Sequence, residues 1–389
     1  MSISWGNWDV RVYVADAWVS LARRFVLEHP VIVDHLDAIL NDPVPAVRLQ
    51  VAQNLHVIYV AAPDRMWRLG ERIVTQETDA QILVAYLNHS MWHFCHSEPD
   101  RCEAVLTILH GRLVFDLAGN HNGHNLLMES LGAWAAQLYA AQGRELTRTW
   151  INEWAVDPEI YGDALNFIAS SLRSPFFRRY AHDVGLDACA MCSRAQECLA
   201  LILIHATRIS AEEYSVLRSD AAEPEKRIAG QKYVAAEKVI SHAMNQLYFG
   251  SGANADNREV VTGLPDAAAM ARFLTDYADI LALLSSTREP ATLHYLIELY
   301  EFLMPGNPVT VFDAIYSILL GRGKEEGYHY ESLGNTAVVS IVRRYIADYR
   351  GIFDDEGRRD RLVEILRLFS EVGWIDALKL LYDLPDILR

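Results

Sequence analysis

The chain has 389 residues, 51% of them hydrophobic, and a formal net charge of −16 from 51 acidic against 35 basic residues. That acidic field opposes nucleic-acid binding, which depends on clustered Lys and Arg, and no apolar run reaches the ~18–20 residues a membrane span needs. With 13 prolines and 21 glycines there is too little punctuation for a sandwich or barrel of this length.

The first residues, Met1 to Arg11, carry Trp5, Trp8 and Asp9 but no basic n-region of a secretory signal. Five sparsely placed cysteines make no disulfide framework, so the compartment read from the sequence is a reducing cytoplasm. The long stretches between breakers predict an all-α chain.

The opening segment repeats. Val10, Arg11, Val14 and Ala15 match Val47, Arg48, Val51 and Ala52 at an offset of 37 residues. A pair of helices of ten to fifteen residues with short turns needs about that length. Before the second copy stands Asn41-Asp42-Pro43. Asp42 is expected to cap the coming helix, with Pro43 placed where no amide bond is required. Val47, Val51, Asn54, Leu55 and Ile58 then fall on one helical face. Arg11 and Arg48 are the expected structural residues, with Arg48 reaching an acid of the adjacent repeat.

Asp42-Pro43 followed by Val47-Arg48 resembles the HEAT-repeat superfamily, whose repeats carry an Asp-Pro turn and then Val-Arg at the start of the second helix. The first copy has Asp9 and Val10-Arg11 without the proline, and the resemblance covers roughly residues 5–75. It implies an α-solenoid of antiparallel helix pairs, roughly 16–20 helices for a chain of this length, used for binding protein or nucleic acid.

Helices are then expected to begin near Asp64, Asp79, Asp100, Asn122, Leu146, Pro158, Ser174, Asp187 and Ser210, mostly from N-terminal signals of Asp, Asn, Ser and Pro. Pro224 to Tyr248 reads as one long amphipathic helix. Gly250 to Asn257 lacks apolar content and predicts a flexible break. The array therefore divides softly into residues 1–250 and 264–389, joined across a loop at 250–264. Further starts follow near Asp266, Glu289, Pro308, Leu333, Glu356 and Glu371.

The start lacks a polar capping helix, so Met1 is expected to be an engineered start with a repeat or domain missing before it. Gly373 to Leu384 reads as a closing helix stopped by Pro385. That combination resembles the helical-repeat C-terminal regions of large bacterial ATP-binding regulatory and phage-defence proteins. The resemblance implies a nucleotide-switched module upstream and a sensing or transmitting arm here.

His89, His93 and His96 stand at i, i+4 and i+7, one face of a regular helix, near Cys95 and Cys102. Two imidazoles four apart can share zinc. The glutamate of a zinc protease is absent between them, which leaves a structural zinc site as the metal reading and polar surface contacts as the plain one. His121 and His124 lie in a Gly/Asn turn. Cys189-Ala190-Met191-Cys192 has no preceding strand and no second pair. Gly321 to Gly327 lacks the hydroxyl that follows the lysine of a phosphate loop and reads as a surface turn. Nine tryptophans and 18 tyrosines suit helix seams first, and any left on a concave face would anchor a partner.

The sequence thus predicts a non-catalytic binding scaffold or sensor arm with no cofactor and a basic or mixed-charge protein partner. A HEAT-like DNA-binding or DNA-repair enzyme and a zinc-stabilised interaction module remain as alternatives.

Overall fold

A computed structural model describes residues 10–113, 121–181, 186–254 and 263–387. Every regular element among them is a helix, and none is long and apolar enough to cross a membrane. The chain clusters into two compact units, residues 1–147 and 148–389. The 250–264 stretch lies inside the second of these, and residues 255–262 fall outside the described residues.

In the first unit, helices alternate between two packed sets. Val10–Phe25, Pro45–Ala52, Ala80–Ala85 and His121–Ala136 each pack on the next of that set, while Pro63–Gln76 packs on Pro99–Leu113. The apolar face read from the sequence is buried, with Val47, Val51, Leu55 and Ile58 each at 2% exposure or less. Each contributes about 1.5–3 kcal/mol of hydrophobic stabilisation. Close approach depends on Gly70, where an added Cβ would stand 2.0 Å from the Tyr86 hydroxyl. Tyr86 is itself buried to 1% exposure beneath that helix.

The second unit is organised around two long helices, Leu186–Arg218 and Glu223–Ser251, which pair along their length. Pro158–Ser171 and Pro290–Leu303 both lean on the Glu223–Ser251 helix. Beyond them the alternating pattern returns: Pro290–Leu303 packs on Ser332–Asp348, which packs on Ile375–Ile387, and Pro308–Ile318 packs on Glu356–Glu371. Arg361 and Tyr316 carry this stacking in side chains, bonding Asp313 and Glu364 respectively, each partner 48 residues away.

Most expected starts lie where the residues placed them. Asp79, Asp157 and Asp266 accept amide bonds as N-caps, and Pro63, Pro158, Pro290 and Pro308 open their helices. Ser210 is different. No helix begins there, because the chain continues unbroken from Leu186 to Arg218 and the hydroxyl is used across space. Pro385 does not stop the last helix, which runs to Ile387, since a proline near a helix end removes only one donor from the final turn.

Candidate functional site

Asp42 does not cap the following helix. Its Oδ1 accepts from the Val44 amide at 2.8 Å, closing an Asx turn, and Val44 occupies the N-cap position. The first helical position belongs to Pro45, so Pro43 stays in the turn. Arg48, one turn into the helix, makes a bidentate pair with Glu77 at 2.7 and 2.9 Å and donates to the Asp42 carbonyl at 2.8 Å. Arg11 reaches the Asp42 carboxylate at 3.4 Å. Two first-turn arginines, 37 residues apart in sequence, thus each bond an acid further along the chain, at separations of 31 and 29 residues.

Glu77 is nearly buried, and burial alone would raise its pKa. The Arg48 guanidinium and the Asp79 and Thr78 amides outweigh that and hold the carboxyl below its usual value. A polar cleft of about 320 Å³ surrounds this turn, lined by Asp42, Arg48, Arg72 and Glu77 among others. Arg72 is also engaged, by Asp37 and Asn41. The charged groups of this cleft neutralise one another, and the cleft is a joint between helices.

A second set of ion pairs escaped the sequence reading. Asp34 pairs with Arg65, Asp64 with Arg101, and Asp100 with Arg144. Each rung links the first turn of one helix to an arginine 31, 37 or 44 residues further on. The signal was present as Pro63-Asp64-Arg65 and Pro99-Asp100-Arg101, the same tripeptide 36 residues apart. In each, the aspartate looks forward and the arginine looks back.

The histidines do not form the expected face. Only Ala80–Ala85 is regular α-helix; Tyr86–Ser90 winds as a π turn and Met91–Phe94 as a 3-10 turn. The angular step per residue changes twice, so spacing at i, i+4 and i+7 no longer marks one side. His93 packs on His56 with tilted rings 4.1 Å apart at their centres, His96 Nδ1 meets Gln142 Nε2 at 3.0 Å, and His89 is exposed. Among the described residues no three His, Cys, Asp or Glu are placed to hold a metal ion. The side chains of His121 and His124 lie outside the described residues. Cys189 is exposed and Cys192 buried, both as free thiols.

What the irregular turns do build is a continuous edge. The turn after Pro45–Ala52 meets the turn after Ala80–Ala85 through His56 on His93 and Tyr59 on Phe94 at 4.5 Å. The Tyr59 hydroxyl donates to Glu98, and the His56 amide donates to Ser90 Oγ at 2.7 Å. Trp92 stands edge-on to buried Trp134 at 4.8 Å and keeps 38% exposure, and Val60 is 81% exposed. Burial, then the charges of His93 and Arg23, push the His56 imidazole down to about 4. It is neutral at physiological pH. The edge offers rings, neutral imidazole and apolar surface in one strip, a composition suited to gripping a partner.

No family model, curated protein or solved structure matches this chain.

Proposed function

We propose that the chain is a HEAT-like helical-repeat scaffold that binds a protein partner along the turn edge of its first unit. The observation that carries this reading is the recurring rung. Asp34–Arg65, Asp64–Arg101 and Asp100–Arg144 repeat one through-space linkage at helix-pair spacing, as stacked repeats require. Stacking of that kind brings successive turns side by side. The strip of His56, Tyr59, Trp92 and His93 is such a set of neighbouring turns.

The partner is a basic or mixed-charge protein, steered by the net charge of −16. A DNA-binding role would use a contiguous basic stripe. Instead Arg48, Arg65, Arg72, Arg101, Arg144 and Arg288 each face a carboxylate, as do Arg358 and Arg361 at Asp313. This local neutralisation favours the protein-binding reading over the nucleic-acid one.

The test is affinity capture from source cells, comparing the native chain with the Trp92→Ala, His93→Ala double variant at matched thermal stability. Loss of one specific co-purifying protein in the variant, recovered by neither buffer salt nor concentration, supports the edge. Equal capture by both chains, or tight retention of duplex DNA at physiological salt, would falsify it.

A further inference from the structure

The Val10–Phe25 helix is apolar on two sides. Ala15, Val19 and Ala22 are its buried residues, and it packs on Ile32–Ile39 and Pro45–Ala52. Val10, Tyr13, Val14, Ala17 and Leu21 fall at i, i+3, i+4, i+7 and i+11, a second stripe turned away from the first. All five are exposed, Val10 at 73% and Tyr13 at 56%. Pro45–Ala52 and Ala80–Ala85 each pack on a neighbour of their set on both sides, whereas Val10–Phe25 packs on one alone among the described residues.

The last helix, Ile375–Ile387, repeats this arrangement in the second unit. Ala377, Leu380 and Leu384 are buried, and the helix packs on Ser332–Asp348 and Glu356–Glu371. Ile375, Leu378 and Tyr382, at i, i+3 and i+7, are exposed, Tyr382 at 80%. A terminal helix of a stack keeps a polar outer side when it is to stay free in water. An apolar stripe at helical spacing, on a helix already buried along its other side, is a surface for association.

Charge tells the two stripes apart. Val10–Phe25 carries Arg11, Arg23 and Arg24 against Asp16, and its last turn is basic. Arg23 and Arg24 make no ion pair among the described residues; Arg24, three residues past Leu21, lies over the Phe25 ring at 5.3 Å. On the last helix, Lys379 answers Asp376 at 3.9 Å. Asp383, next to Tyr382, is exposed and has no cation among the described residues. A free cation thus borders one apolar stripe and a free anion borders the other.

We propose that the protein self-associates head to tail, the Ile375–Ile387 stripe of one copy seated on the Val10–Phe25 stripe of the next, with Asp383 facing Arg24. Contact between two like stripes would leave Arg24 or Asp383 unanswered, whereas head-to-tail docking pairs them. Such a contact is heterologous, so it closes into a ring or continues as a filament according to the rotation between copies. The net charge of −16 opposes association over the rest of the surface, which keeps the contact weak and dependent on concentration. It uses none of the turn edge formed by His56, Tyr59, Trp92 and His93.

The test is the mass of the full chain by light scattering from about 5 to 500 µM, the range in which small interfaces associate. The parent is expected to climb above 44.0 kDa with concentration. Tyr13→Asp sets an acid against the acidic stripe, and Leu378→Arg sets a base against the basic one. Each variant alone should stay at 44.0 kDa and melt close to the parent, because both positions are exposed. Mixed in equal amounts, the two keep one good stripe apiece and should form a complex of twice that mass and nothing larger. Arg24→Glu should weaken association about tenfold, and Asp383→Arg in the same chain should restore it. A parent that stays at 44.0 kDa would overturn the proposal and leave the stripes to the residues before Val10 or to another protein. A mixture no heavier than its parts, or a single variant that associates as the parent does, would overturn it as well.

Discussion

Both units carry ion pairs between helices, and the contrast lies between the surface rungs of the first and a buried carboxylate of the second. In the first, the rungs run over the surface: Asp64 is 83% exposed and Arg101 50% at their pair. In the second, the two long helices and the next segment are joined by a carboxylate inside the protein. Glu237 is 2% exposed, with Ser210, Thr287 and the Arg288 amide all pointing at it. Exposed pairs are worth little because water competes for both partners, whereas a buried acceptor is held firmly because nothing else can satisfy its donors. The surface rungs are therefore expected to contribute little to stability, and the buried carboxylate much more.

The sharpest way to break that contrast is Glu237→Ala. It strands two hydroxyls and opens a hole, and should lower unfolding free energy by about 3–5 kcal/mol, read from urea melts. Glu237→Gln keeps the shape and should lose about half as much, since the hydroxyls can turn to suit an amide. Arg48→Ala comes next, because the nearly buried Glu77 loses its cation; about 2–4 kcal/mol is expected, localised by hydrogen exchange to the first unit. Gly70→Ala drives a methyl into the Tyr86 hydroxyl and should cost about 1–3 kcal/mol in the same melts. If it instead leaves stability unchanged, Tyr86 is not seated under that helix.

Acid should act on the first unit by two routes. His56 has its pKa lowered to about 4 from the usual 6.5, so the unfolded chain takes up a proton first and stability falls as pH drops from 6.5 towards 4. His56→Asn should flatten that part of the melting profile, by on the order of 1 kcal/mol after allowing for solvent screening. Glu77 is also depressed, so its contribution is present above the ordinary glutamate value and is lost as pH falls through the lower folded value. Smallest of all is the rung: Asp64→Ala should change stability by about 0.2–1 kcal/mol and less in high salt. A loss as large as that of Arg48→Ala would erase the distinction between surface register and buried anchoring.

Local chemistry made much of the all-helical fold readable. Proline at a first helical position and aspartate before it act within a few residues, so the starts at Pro63, Asp79, Pro158, Asp266 and Pro308 were visible in the chain. What was misread depended on partners distant in sequence or on changes of winding. Ser210 has the look of a cap, but its partner Glu237 is 27 residues away on the neighbouring helix. His89, His93 and His96 share a face only if the helix stays regular, and it does not.

Gly250 and Gly263 almost touch. A Cβ on Gly263 would lie 2.2 Å from the Gly250 carbonyl oxygen, and both glycines rest on Phe177. The two glycines thus stand at one narrow gate, beside Leu264 at 1% exposure. Whatever length of chain spans that gate, doubling it would cost only about 0.6 kcal/mol of closure entropy. The close approach is far less forgiving than that length: Gly263→Ala would force Phe177 or the facing backbone to move, and should lower the melting midpoint more than a change in loop length does.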